Sequence, residues 1–217
     1  LVTTPDVMAP AIGEFQRPGD PVVYPTNYPE EAFYYMAEAR LEVGGNGVVG
    51  RARVIMALEA AFGGDGTPEY GSDMVPPEHL GVVFARFRVR MDDLIPGAAY
   101  IVRYPYGETI PLVADDGGRV SYTCDLGTAE GNMGRVIQSG EIAPFMTWAT
   151  GAPANYIGDG VSERLVTGGP FRDFVEIEGS RIGVGSVHAV TADLVRTDLF
   201  TIQGRLAGTG PGATPPG

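Results

Sequence analysis

The sequence predicts an all-β protein: an antiparallel two-sheet β-sandwich, immunoglobulin-like or jelly-roll-like, with an extended proline-rich amino-terminal arm. Three observations predict it. Short segments alternate apolar and polar residues at period 2 and not at the helical 3.6. Clusters of glycine, proline and aspartate such as "DLIPG" and "ADDGG" separate those segments. Pro5, Pro10, Pro18, Pro21, Pro25 and Pro29 crowd the amino end, where each fixes its φ and removes a backbone donor, so no helix forms there. The 217 residues divide into an arm (1–27), one sandwich domain (28–207) and a Gly/Pro-rich tail (208–217).

The first strand is read from "MAEARLEV", where Glu38, Arg40 and Glu42 alternate with Ala37, Ala39, Leu41 and Val43. The next stretch, "GGNGVVGRARVIMALEAAF", holds Gly45, Gly47 and Gly50 in a G-x-G-x-x-G pattern followed by good helix formers. A dinucleotide-binding turn would need the preceding strand to be apolar on both faces, and "MAEARLEV" has one wet face. Ala52, Val54, Met56, Leu58, Ala60 and Phe62 also fall on one side at period 2, so the expectation is a β-hairpin with positive φ supplied by Gly44 to Gly47. In "VVFARFRVRM", Arg86, Arg88 and Arg90 face away from Ala85, Phe87, Val89 and Met91. Further strands follow in "AAYIVRYPY", "GRVSYTCD", "DFVEIEG" and "DLFTIQGRL". A helical turn is suggested only in "NMGRVIQSGEIAPFM", where Pro144 ends it.

The formal charge is −12, and all 15 basic residues are arginine. The absence of lysine excludes a Walker lysine, a Schiff base and a Lys–Asn isopeptide cross-link. The acidic balance, without a visible basic stripe, argues against nucleic acid as a partner. No apolar run is long enough for a membrane span. The single cysteine, Cys124, shares a strand face with Val120 and Tyr122 and is expected to be a buried structural thiol. Leu1 in place of an initiator methionine fits either a processed precursor or a trimmed chain, and export is the favoured expectation.

Catalytic patterns are scarce. His79 and His188, with one distant cysteine, have no zinc-ligand spacing, and Ser186 beside His188 lacks the G-x-S-x-G elbow. Glu176 and Glu178 read as ordinary solvent-facing strand residues. No catalytic residue and no cofactor is expected. Hard oxygen ligands for calcium would come from Asp65, Glu69 and Asp73 in "GGDGTPEYGSD", Asp115 and Asp116 in "ADDGG", and Asp159 in "IGDG", although solvated turn aspartates explain the same residues. Tyr28, Tyr34 and Tyr35 in "NYPEEAFYYMAE", with Tyr104 and Tyr106 in "VRYPYGE", are the candidate glycan platform; a subunit interface would use exposed tyrosines equally well.

The stretches "YPEEAFYYMAEARL", "GRARVIMALEAAFG", "VVFARFRVRMDDLIPGAAYIVRYPYG", "YIGDG", "VTGGPFRDFVEIEG" and "TDLFTIQGRLAG" resemble a family of exported, functionally uncharacterised proteins of bacteria and fungi. The resemblance implies a secreted β-rich domain and carries over no activity. It departs at the amino end, where the proline-rich arm replaces a cysteine-containing leader.

These readings lead to a non-enzymatic structural subunit of an extracellular assembly such as a filament, sheath or surface layer. Val2, Val7, Met8, Ile12, Phe15, Val22 and Val23 of the arm would supply contacts to a neighbour's sheet, making a homo-oligomer or polymer at the cell surface or outside it. The alternative is a secreted carbohydrate-binding or calcium-stabilised adhesive module.

Overall fold

The computed structural model describes residues 3–4, 31–62, 81–127 and 141–206. The described strands are, in chain order, β1 (Thr3–Thr4), β2 (Glu31–Val43), β3 (Gly50–Phe62), β4 (Gly81–Met91), β5 (Ala99–Tyr104), β6 (Gly107–Glu108), β7 (Leu112–Val113), β8 (Val120–Leu126), β9 (Thr147–Trp148), β10 (Arg164–Thr167), β11 (Val175–Gly179), β12 (Ala189–Thr191), β13 (Leu194–Thr197), β14 (Leu199–Gln203) and β15 (Arg205–Leu206). No helix occurs among the described residues. The larger sheet runs β8-β4-β3-β2-β14-β10-β9, and the smaller runs β12-β13-β11-β5-β6 with β7 also on β5. Every pairing is antiparallel, and the two sheets share one core in a sandwich-like arrangement.

The glycine-rich stretch is a hairpin, with Val43 opposite Gly50 and the pairing carried down to Glu31 opposite Ala61. Gly45 and Gly47 take φ of 110° and 84°, values that cost a side chain steric strain. Gly44 differs from the expectation, because close approach and not positive φ requires it. A Cβ there would lie 1.9 Å from the Val184 carbonyl oxygen, and its N–H donates to Ile182 O at 2.6 Å.

Period-2 alternation turns Ala37, Ala39, Leu41 and Val43 of β2, Val54, Met56 and Leu58 of β3, and Phe87, Val89 and Met91 of β4 into the core. They meet Tyr100 and Val102 of β5, Val175 and Ile177 of β11, and Val195 of β13. Each fully buried side chain of this size contributes roughly 1.5–3 kcal/mol.

Alternation alone does not describe the outward face of the larger sheet. Ile55, Ala57, Glu38, Glu59 and Thr201 point that way and are buried too. A buried carboxylate must be paired, and these are. Arg40 Nε donates to Glu38 Oε1, Arg53 Nη2 donates to Glu38 Oε2, and Arg86 Nη1 donates to Glu59 Oε2 at 2.8 Å. On the smaller sheet, Glu176 and Glu178 both accept from Arg103, at 3.1 and 2.7 Å.

The assembly residues Val2, Val7, Met8, Ile12, Phe15, Val22 and Val23 lie outside the described residues, as does most of the segment read as a helical turn. Thr3 and Thr4 pair antiparallel with Leu206 and Arg205 of their own chain, so this piece of the arm adds its strand in cis. No helix among the described residues is long and apolar enough to cross a membrane.

Candidate functional site

At one side of the sandwich β8, an edge strand of the larger sheet, stands beside the β5–β6 turn of the smaller one. A cleft of about 280 Å³ opens there. Alternation along β8 directs Tyr122, Cys124 and Leu126 to the inner face, leaving Ser121, Thr123 and Asp125 exposed. Phe87 of β4 and Tyr104 of β5 form the floor, stacked at 4.0 Å between ring centroids, and Phe87 meets Tyr122 edge-on at 6.1 Å. Glu108, Thr109, Ile110 and Glu141 complete the wall.

Several contacts fix this geometry. Arg172 Nη1 donates to the carbonyls of Tyr104 and Gly107, at 3.3 and 2.7 Å, and so braces the β5–β6 turn. Thr109 is locked by exchange with Val102: its N–H donates to Val102 O at 2.9 Å, and its hydroxyl accepts from Val102 N–H at 3.1 Å. Glu108 lies 3.4 Å from Arg103 Nε and is largely exposed. Ile110, 74 % exposed, stands at the mouth.

Both phenols of the cleft are held neutral. Burial raises the Tyr104 pKa, followed by the negative charge of Glu141 and then Tyr122 and Cys124. Burial also raises Tyr122, with further contributions from Cys124, which hydrogen-bonds it, and from Glu141. The cleft therefore offers an apolar aromatic floor with neutral hydroxyls, one thiol and two carboxylates around it. Among the described residues that line it there is no histidine or arginine.

Cys124 is on the expected face but is half-buried in this cleft and not sealed in the core. The core lies one strand further in, and β8 is an edge, so residues on its inner face are only partly covered. Comparison of the chain with family models, curated proteins and solved structures finds no match.

The glycan-platform residues do not come together on a surface. Tyr35 and Tyr106 are buried, with hydroxyls 3.1 Å apart, and Tyr106 donates to Pro144 O at 2.9 Å. Tyr104 is buried beneath the cleft, Tyr34 is half-buried beside the core, and Tyr28 lies outside the described residues. A paired strand has room for aromatic side chains on its inner face, which explains why tyrosines counted as exposed are core residues here.

The calcium candidates Asp65, Glu69 and Asp73 lie outside the described residues, as does His79. Asp115 Oδ1 accepts the N–H groups of Gly117 and Arg119, closing its turn at 2.9 and 2.8 Å, while Asp116 is exposed beside it. Asp159 accepts from Val161 N–H, Ser162 N–H and the Ser162 hydroxyl, at 2.8, 2.7 and 2.6 Å. Burial pushes its pKa up, but these donors and Arg164 outweigh it and hold the carboxyl low. Among the described residues no three of His, Cys, Asp and Glu gather as metal ligands.

Ser186 and His188 pin a loop to β2. The Ser186 hydroxyl donates to Glu42 O at 2.7 Å, and Glu42 N–H donates to His188 Nδ1 at 3.0 Å. Phe87, Tyr122, Thr109 and Glu141 were absent from the sequence candidates. No local pattern could have found them, because the cleft exists only where β4, β5 and β8 meet in space.

Proposed function

We propose that the protein is a secreted, non-enzymatic carbohydrate-binding module whose cleft holds a single sugar residue. The reading is carried by the cleft's composition: the half-buried Tyr122 ring beside the Phe87–Tyr104 stack for the C–H face of a pyranose, with neutral phenols and the Glu108 and Glu141 carboxylates to hydrogen-bond its hydroxyls. About 280 Å³ lies just below the usual range for small-molecule sites, roughly 300–1,000 Å³, which suits one ring and not a chain. Secretion is part of this proposal. Saturation-transfer NMR with glucose, galactose, mannose and N-acetylglucosamine tests it. At least one sugar is expected to bind with a dissociation constant on the order of 1 mM, weakened about tenfold by Tyr122→Ala. Absence of transfer from all four, or transfer unchanged in the variant, would refute the reading.

A second reading, a self-assembling structural subunit, is favoured by an apolar end of the sandwich. Val48 and Val49 of the hairpin tip and Val184 and Val187 of the loop pinned by Ser186 and His188 are 54, 49, 42 and 78 % exposed. The two segments touch: a Cβ at Gly185 would sit 3.5 Å from Val49 Cγ2. Contiguous exposed apolar surface of this kind marks contact sites. Under this reading light scattering gives a mass above the 22.9 kDa of one chain, and the Val49→Asp, Val187→Asp double variant returns it to that value. A full-length protein that stays monomeric at high concentration rules this reading out.

A further inference from the structure

The outward face of the larger sheet concentrates positive charge in an acidic chain. Register sets Arg40 opposite Arg53 and Arg53 opposite Arg90, a row of arginines across β2, β3 and β4. Arg88 and Arg86 follow Arg90 on β4 at the same-face repeat of about 7 Å. Like charges directly opposite one another weaken a ladder, so each arginine needs an offsetting partner.

Carboxylates offset only part of the cluster. Glu38 takes Arg40 and Arg53. Asp125 takes Arg86 in a two-pronged pair at 2.8 and 2.9 Å. Arg90 is held by neutral groups, Tyr122 O at 2.8 Å, Val89 O at 3.1 Å and the Thr123 hydroxyl at 3.1 Å. Arg88 stands between Arg86 and Arg90, opposite Ile55 on β3 and Thr123 on β8. Its Nε is buried without a hydrogen-bond partner. Burial, and then the charges of Arg88 and Arg86, push the Arg90 pKa down.

We propose that Arg88 and Arg90, flanked by Thr123, form a binding site for a tetrahedral oxyanion, a sulfate or phosphate group. An anion seated between the Arg88 and Arg90 guanidiniums would relieve the repulsion between them; Arg88 has no carboxylate partner among the described residues. Arginine forks suit the task because each presents donors in a fixed plane to adjacent oxygens. The donors come from two positions along β4 and from a hydroxyl on the next strand, an arrangement that suits an anion with several oxygens. Thr123 and Ser121 are exposed on β8, so the site is open from that edge.

Thermal melts at constant ionic strength, with sodium chloride replaced stepwise by sodium sulfate or phosphate, test the proposal. The wild-type protein is expected to gain about 3–5 °C at ten times the half-saturating concentration, along a curve that saturates. Sulfate excluded from protein surfaces also stabilises folded chains, but without saturation and without dependence on one arginine. Arg88→Met is expected to abolish the saturable part and, in chloride alone, to melt no lower than wild type, because it removes a buried unpaired donor and a like charge. Arg90→Gln gives the same loss of binding if the first variant folds poorly. Glucose 6-sulfate binding more tightly than inorganic sulfate assigns the group to a sugar-borne sulfate; equal binding assigns it to the free ion. A linear, non-saturating response, or a shift of the same size in both variants, overturns the site.

Discussion

Tyr35→Ala is expected to lower the unfolding free energy by about 4 kcal/mol, the usual cost of deleting a large aromatic side chain from a core. Tyr35 is fully buried in β2 and stacks on Phe145 at 4.6 Å between centroids. Its hydroxyl meets that of Tyr106, which donates onward to Pro144 O, so one side chain ties β2 to the segment after β5 and to the loop before β9. For a chain of this length the change corresponds to a fall in melting temperature of roughly 10 °C. Tyr35→Phe keeps the ring and loses only the hydroxyl link, so it should cost about 1 kcal/mol. Denaturant titrations with a shared m-value separate the two. Similar losses in both variants would show that the hydroxyl, and not the ring, dominates, against the packing argument.

Stability is expected to fall steeply above about pH 10, the tyrosine pKa of an unfolded chain. Burial is the largest cause that raises both Tyr35 and Tyr106 above that value. Below it both states carry the phenolic protons, and these groups add no pH dependence. Above it the unfolded chain releases protons that the folded chain keeps, so the unfolded state binds fewer and stability declines with pH until the folded values are reached. Each such tyrosine contributes a slope of about 1.4 kcal/mol per pH unit, so the pair gives up to about 3. Melts from about pH 8 to about pH 12, followed by tyrosinate absorbance, should show these phenols ionising together with unfolding. The Tyr35→Phe, Tyr106→Phe double variant flattens the decline. An unchanged slope in that variant would move the alkaline sensitivity elsewhere.

Much of the strand pattern was legible because burial on one face leaves a local trace. Arg86, Arg88 and Arg90 against Phe87, Val89 and Met91 correctly marked the two faces of β4, and Glu38, Arg40 and Glu42 marked β2. The hairpin at Gly45 and Gly47 was legible because backbone conformation there depends on the residues themselves. The cleft was not. Of its lining, Ala85, Phe87 and Tyr122 were legible only as strand-face residues, Tyr104 as part of a candidate platform and Cys124 as a buried thiol, since alternation says which face a residue takes and not what stands opposite.

The sequence by itself determined an all-β chain, the faces of its long strands, the turn of its glycine hairpin and the absence of lysine chemistry. These are properties of neighbours along the chain: a period, a φ preference, a residue count. Tertiary structure alone decided that Tyr35 and Tyr106 share a buried hydroxyl pair, that β8 ends the larger sheet and leaves a cleft beside it, and that the register of three strands lines up Arg40, Arg53 and Arg90. A net charge of −12 averages over the whole chain and hides that row. The interactions that build a site act over a few ångströms between residues far apart in sequence, and strand register, set by the whole core at once, determines which of them meet.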